Sequence, residues 1–149
     1  RRKLIPALYN LAKAGLLSPN FAIVGIGSKS MDQAAFNEKM LDAIREYAKD
    51  QVDLELLNWF GSRITYVDGD FGDDTLYGRL DAHCQSIKTE QRISNNHFYY
   101  LATAPSYFGS IIQKLGAAGM TKEDSDSWRR VIIEEVVVHY FYAYKVSLL

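Results

Sequence analysis

An α/β fold built on an open, mainly parallel sheet flanked by helices, a Rossmann-like three-layer sandwich, is predicted by three observations. Short apolar or aromatic runs alternate with amphipathic helical runs along the 149 residues, the pattern of right-handed crossover units. Phe21-Ala22-Ile23-Val24 runs into a glycine turn at Gly25-Ile26-Gly27, as a strand covered on both faces does. Ser30 opens a helix just beyond. Residues 25–30 therefore form a loop at the carboxyl end of a strand, where such sheets hold their ligands.

The elements follow in order. Leu4, Ile5, Leu8, Leu11 and Ala12 share one helical face over residues 4–16, with Gly15 as a stop. Ser18-Pro19-Asn20 punctuates the chain before the strand at 21–26. Ser30 to Gln33 fits a capping box, with Ser30 as N-cap and Gln33 reaching back. Phe36, Met40, Ile44 and Tyr47 then line an amphipathic helix. A short helix near Leu54–Phe60 ends at Gly61, and Ile64-Thr65-Tyr66-Val67 reads as the second strand. Asp73 or Asp74 caps a helix carrying Leu76, Leu80, Cys84 and Ile87. The third strand, residues 97–102, is rich in aromatics. Beyond Thr103-Ala104-Pro105-Ser106 comes a helix bearing Phe108, Ile111, Ile112 and Leu115, then a charged linker and a fourth strand at 130–134.

The bulk numbers fit one ordinary globular domain, 48% hydrophobic and 23% charged. Seventeen basic and eighteen acidic side chains give a net charge of -1, which offers no reason to expect nucleic acid or an anionic membrane as the main partner. The single cysteine, Cys84, excludes an internal disulfide and suits a reducing, cytoplasmic setting. Pro6, Asn10 and Lys13 interrupt the apolar start, so it reads as a helix and not a signal peptide.

Four stretches in fixed order carry a family resemblance: residues 2–9 (RKLIPALY), 21–25 (FAIVG), 98–105 (FYYLATAP) and 128–134 (WRRVIIE). Together they resemble the amino-terminal nucleotide-binding domain of glucose-6-phosphate dehydrogenase over residues 1–134. The resemblance implies NADP as cofactor, with NAD as the alternative, and oxidation of glucose 6-phosphate at C1 in the pentose phosphate route. It implies small-molecule nucleotide and sugar-phosphate partners and leaves room for a homo-oligomer in full-length members. Carried over by position, Gly25, Ser28 and Lys29 lie along the adenosine ribose. Thr103, Ala104 and Pro105 line the dinucleotide near its nicotinamide end, with Phe108 behind them, and Arg1 faces the sugar substrate. Where the family often has an arginine for the 2′-phosphate, this chain has Ser28 with Lys29 beside it. A lysine neutralises phosphate as a point charge, without arginine's fork.

Other features depart from the family. Arg1 stands one residue past the GxxGDL phosphate loop, so the expectation is a partial domain without its pyrophosphate grip and its central strand. The strands at 21–26 and 97–102 would then share no neighbour. Glu135-Val136 stands where the family has lysine and proline, and His139 lacks the surroundings of the family's catalytic histidine. The chain alone is thus expected to carry no catalytic residue and no dehydrogenase activity. Residues 135–149 form a strand-prone tail unlike the family, either a sticky edge prolonging the fourth strand or a filler for the vacant central slot.

Plainer roles are expected for the remaining chemistry-bearing residues. His83, His97 and His139 are too scattered for a metal site, and none is expected. Cys84 reads as a buried thiol. Asp68, Asp70, Asp73 and Asp74 lack the spacing of a calcium loop and suit a turn and a cap. A non-catalytic Rossmann-like module for nucleotide binding or interaction is the alternative function, and a gene remnant without a role is a third.

Overall fold

The computed structural model describes residues 4–48 and 52–134. Arg1 and the tail from 135 onward, with both readings of that tail, lie outside the described residues. Nine main elements follow one another: α1 (Leu4–Lys13), β1 (Ile23–Gly27), α2 (Gln33–Ala48), α3 (Leu54–Ser62), β2 (Ile64–Asp68), α4 (Asp74–Gln91), β3 (His97–Leu101), α5 (Phe108–Ala117) and β4 (Arg129–Ile133). A 3-10 turn, Pro105–Tyr107, leads into α5.

The ends of these elements have local causes. Gly15 takes a left-handed φ of 67° just beyond α1, a conformation open to a residue without Cβ. Asp73 caps α4, accepting the Thr75 N–H at 2.9 Å and the Thr75 hydroxyl at 2.6 Å. Strand β1 begins at Ile23, later than the apolar run suggests. Phe21 turns instead into an aromatic cluster, its ring centroid 5.7 Å from those of Trp59 and Phe60.

The capping box at Ser30 does not form. Asp32 is the cap of α2, its Oδ1 accepting the Ala35 N–H at 2.7 Å. Gln33 reaches forward, not back: its Nε2 donates to the Ile64 carbonyl at 3.0 Å and its Oε1 accepts the Tyr66 N–H at 2.9 Å. The reason lies in the register of β2. Ile23 pairs with Ile64 in parallel and donates to the Arg63 carbonyl, so Thr65 and Val67 bond to β1. Ile64 and Tyr66 then turn their backbone groups outward. A primary amide supplies one donor and one acceptor to that edge, satisfying two backbone groups that an isolated cap would leave open.

The strands form two parallel pairs, β1 with β2 and β3 with β4. Among the described residues β1 and β3 share no strand neighbour. Between them lies a cavity of about 580 Å³, walled by Ile23 and Val24 of β1, His97 and Phe98 of β3, and Leu8 and Ile87 of the flanking helices.

Two cores cover opposite faces. On one, Leu76, Leu80 and Ile87 of α4 and Ile111 and Leu115 of α5 pack against Val24, Ile26, Tyr99 and Leu101, so strands of both pairs share it. On the other, α1, α2 and α3 bring Tyr9, Phe36, Ile44 and Phe60 against Ile23 and Ile64. Tyr9 is fully buried; its hydroxyl accepts the Asp53 N–H at 3.1 Å and lies 3.3 Å from the Asp53 carbonyl. Asp53 in turn caps α3 through the Leu56 N–H at 2.9 Å.

Candidate functional site

The segments after β1 and β3 each leave the carboxyl end of a strand paired in parallel. Val24 of β1 and Phe98 and Tyr100 of β3 wall the larger cavity, and Ile26 of β1 and Tyr99 and Leu101 of β3 wall a smaller one. Residues 28–30 follow the carboxyl end of β1 and residues 102–105 that of β3.

The predicted cofactor residues divide there. Ser28 and Lys29 are exposed, as are Ala104 and Pro105. Thr103 is buried and its hydroxyl turns to the Ala104 carbonyl at 3.2 Å. Phe108 is partly buried against the core shared by α4 and α5. Gly25 is buried within β1, and a Cβ there would stand 2.3 Å from Cζ of Phe36. Its missing side chain thus makes room for α2 and explains the glycine by packing.

Sequence reasoning missed the residue that shapes this loop. Tyr66, on β2, donates its hydroxyl to the Lys29 carbonyl at 2.6 Å, with the Gly27 carbonyl at 3.1 Å sharing the same proton. Its ring stacks on Phe36 at 4.4 Å and an interplanar angle of 20°. Burial, and then the charge of Asp68, hold the phenol above its usual range, which keeps it a donor at neutral pH. The sequence signal was slight: one polar-tipped aromatic in an apolar strand.

The other titratable groups have structural partners. His83 Nε2 lies 2.9 Å from the Thr65 hydroxyl, and burial holds its pKa below the usual value. His97 Nδ1 lies 3.2 Å from the Tyr99 hydroxyl, and burial, then the nearby Arg129, lowers its pKa to about 4. Tyr99 donates to the Met120 carbonyl at 2.5 Å. Arg129 donates to the carbonyls of Met120 and Trp128, at 3.0 Å each, and of Asn95, tying β4 to the approach of β3. Burial pushes the Cys84 thiol up to about 12, so it is not a thiolate at neutral pH. The acidic run serves locally. Asp70 accepts the Gly72 N–H at 2.7 Å, and Asp68 faces Arg79 at 3.7 Å. Among the described residues no three histidine, cysteine or acidic side chains gather as a metal site, and no helix is long and apolar enough to cross a membrane.

Parallel strand pairs with helices on both faces, and loops at the carboxyl ends of the strands, define a Rossmann-like domain of the dinucleotide-binding class. Residues 1–139 match the family model described as glucose-6-phosphate dehydrogenase, NAD binding domain. The chain belongs to that family. It is 36% identical over 136 residues to glucose-6-phosphate 1-dehydrogenase of Aggregatibacter actinomycetemcomitans, covering 90% of this chain and 26% of the relative. With glucose-6-phosphate 1-dehydrogenase 2 of Mycobacterium bovis it shares 29% over 139 residues, 93% of this chain and 27% of the relative. A solved glucose-6-phosphate dehydrogenase in complex with its substrate glucose-6-phosphate superposes with a TM-score of 0.70 at 26% identity, over 93% of this chain and 28% of that one. The enzyme from Mycobacterium avium gives 0.67 at 27% identity, over 93% and 27%. The chain thus spans about a quarter of the length of the curated relatives it matches.

Proposed function

We propose that this chain is the nucleotide-holding part of a glucose-6-phosphate dehydrogenase, binding the adenosine end of NADP beside Ser28 and Lys29 and the nicotinamide end beside Thr103, Ala104 and Pro105. The observation that carries the reading is that each of those segments leaves the carboxyl end of a parallel-paired strand, in a fold that superposes on a solved glucose-6-phosphate dehydrogenase with a TM-score of 0.70. The exposed Ser28 and Lys29 suit a ribose bearing a 2′-phosphate, the hydroxyl as a hydrogen-bond partner and the ammonium as a charge. The small, exposed Ala104 and Pro105 allow a flat ring to lie close to the backbone. Bound nicotinamide supplies the hydride acceptor. What the residues of this chain contribute is position and charge.

Gly25 enters this reading indirectly, through the packing of α2, and not as a contact. Arg1 keeps its assignment toward the sugar phosphate on resemblance alone. His83 and His97, made less basic by burial and with ring nitrogens turned to Thr65 and Tyr99, are poorly suited to take the C1 hydroxyl proton of a sugar. Turnover of glucose 6-phosphate is therefore assigned to the longer protein, and none to these residues by themselves.

Titrating the chain with NADP and NAD, followed by isothermal calorimetry, tests the reading. Binding of NADP that weakens in Lys29→Ala is expected, by about tenfold for loss of one charge-assisted contact. Absence of binding to both nucleotides would defeat it. Mixing chain, NADP and glucose 6-phosphate is expected to give no absorbance from reduced nicotinamide.

A further inference from the structure

We propose that Tyr66 is a positioning residue that sets the Gly27–Lys29 backbone for recognition of the adenosine ribose and its 2′-phosphate. The inference rests on the nucleotide reading above and adds to it a residue outside the loop itself. Its support is geometric. The loop after β1 is exposed from Ser28 to Ser30, and an exposed segment of this kind samples many conformations unless tied down. Tyr66 ties it at two carbonyls, those of Gly27 and Lys29, one on each side of Ser28. With both carbonyls drawn toward β2, the intervening peptide groups have a fixed direction, which a site needs if it is to recognise its ligand without first reordering.

The anchor is itself held on three sides. Its backbone is fixed in β2 opposite Gly25, its N–H is bonded to Gln33 at 2.9 Å, and its ring lies on Phe36. Phe36 in turn occupies the space that Gly25 leaves open. Gly25, Phe36, Gln33 and Tyr66 thus form one continuous support running from α2 through β2 to the loop. This gives the glycine in FAIVGIG a part in ligand binding without contact: a Cβ at Gly25 would displace Phe36, and with it the ring that carries the tether.

The phenol faces a definite electrostatic setting. Asp68 stands two residues along its own strand and is the charge that acts on it. Arg79 of α4 faces Asp68 at 3.7 Å, Lys29 lies on the loop it holds, and Phe36 and Gln33 of α2 bring no charge. The hydroxyl proton therefore stays on Tyr66 at neutral pH, and the tether is a neutral hydrogen bond shared between two carbonyl oxygens.

Tyr66→Phe removes the hydroxyl and keeps the stacked ring. NADP and NAD affinities are measured by calorimetry for the unaltered chain, Tyr66→Phe, Lys29→Ala and the double variant, with amide hydrogen exchange at residues 28–30 as a second readout. Tyr66→Phe is expected to weaken NADP about fivefold, the scale of one neutral hydrogen bond, to weaken NAD less, and to speed exchange in the loop. In the Lys29→Ala background most of the NADP effect should vanish, because the tether acts through the loop that carries the lysine. If the unaltered chain binds NADP and Tyr66→Phe binds it equally well, or loses NADP and NAD in the same proportion, the proposal is overturned while the nucleotide reading stands. If the unaltered chain binds neither nucleotide, the nucleotide reading fails, and this assignment falls with it whatever the exchange rates show.

Discussion

Strands β1 and β4 make an instructive pair. Both are five residues long, apolar over most of their length and paired in parallel. All five residues of β1 are buried, whereas Arg130 through Ile133 of β4 are exposed. Helix α4 covers one face of β1 and helices α1 to α3 cover the other, but the cores reach only as far as Tyr99, Tyr100 and Leu101 of β3. Apolar sequence alone does not bury a strand; the helices on either side decide it. Among the described residues one side of β4 is uncovered, a surface that monomeric soluble proteins seldom leave broad and apolar.

Matched truncations test the contrast most strongly. Phe60 is wholly buried and Phe98 is 49% exposed. Phe60→Ala is expected to cost about 4 kcal/mol by removing a ring from a packed core. Phe98→Ala, where the ring meets Trp128 edge-on at 4.7 Å, is expected to cost about 1 kcal/mol. Equal costs in urea melts would show that the two halves are packed alike. Gly25→Ala comes next, at about 3 kcal/mol for overpacking against Phe36. Combining it with Phe36→Leu should restore part of that loss.

An acid titration sharpens the comparison on the β3 side. His97 is held at about 4 when folded against about 6.5 when unfolded. Between those values the unfolded chain binds the extra proton, so stability falls as the pH drops from about 6.5 toward 4. His97→Gln should flatten that part of a plot of melting temperature against pH. The smallest effect is expected at Ile133, 48% exposed. Ile133→Lys should leave the melting temperature nearly unchanged, within about 0.5 kcal/mol. It should also reduce self-association in light scattering, since β4 has one strand neighbour among the described residues and charge on such a strand discourages pairing.

Much of this could be read from residue order. Alternating runs gave the parallel pairs, the Asp73 cap was visible beside α4, and the spacing of Leu76, Leu80, Cys84 and Ile87 gave its buried face. The reading went astray where a side chain serves a distant partner. Gln33 looked like a capping residue because the sequence nearby is the motif; its use at the edge of β2 depends on a strand thirty-one positions on. Tyr66 was passed over because only its hydroxyl, and not its place in an alternating pattern, bears on the loop. Gly25 stands out in sequence by its place before the loop, whereas its packing against a ring eleven residues later shows only in the fold. Local pattern fixes elements, whereas long-range polar reach belongs to the assembled fold.

Helix α4 touches strands of both pairs through a single core. It lies like a keel beneath two separate planks, and neither plank can lift without opening the seam they share. Heating should therefore melt the molecule in one calorimetric event, not two, although no hydrogen-bonded ladder crosses the midline among the described residues.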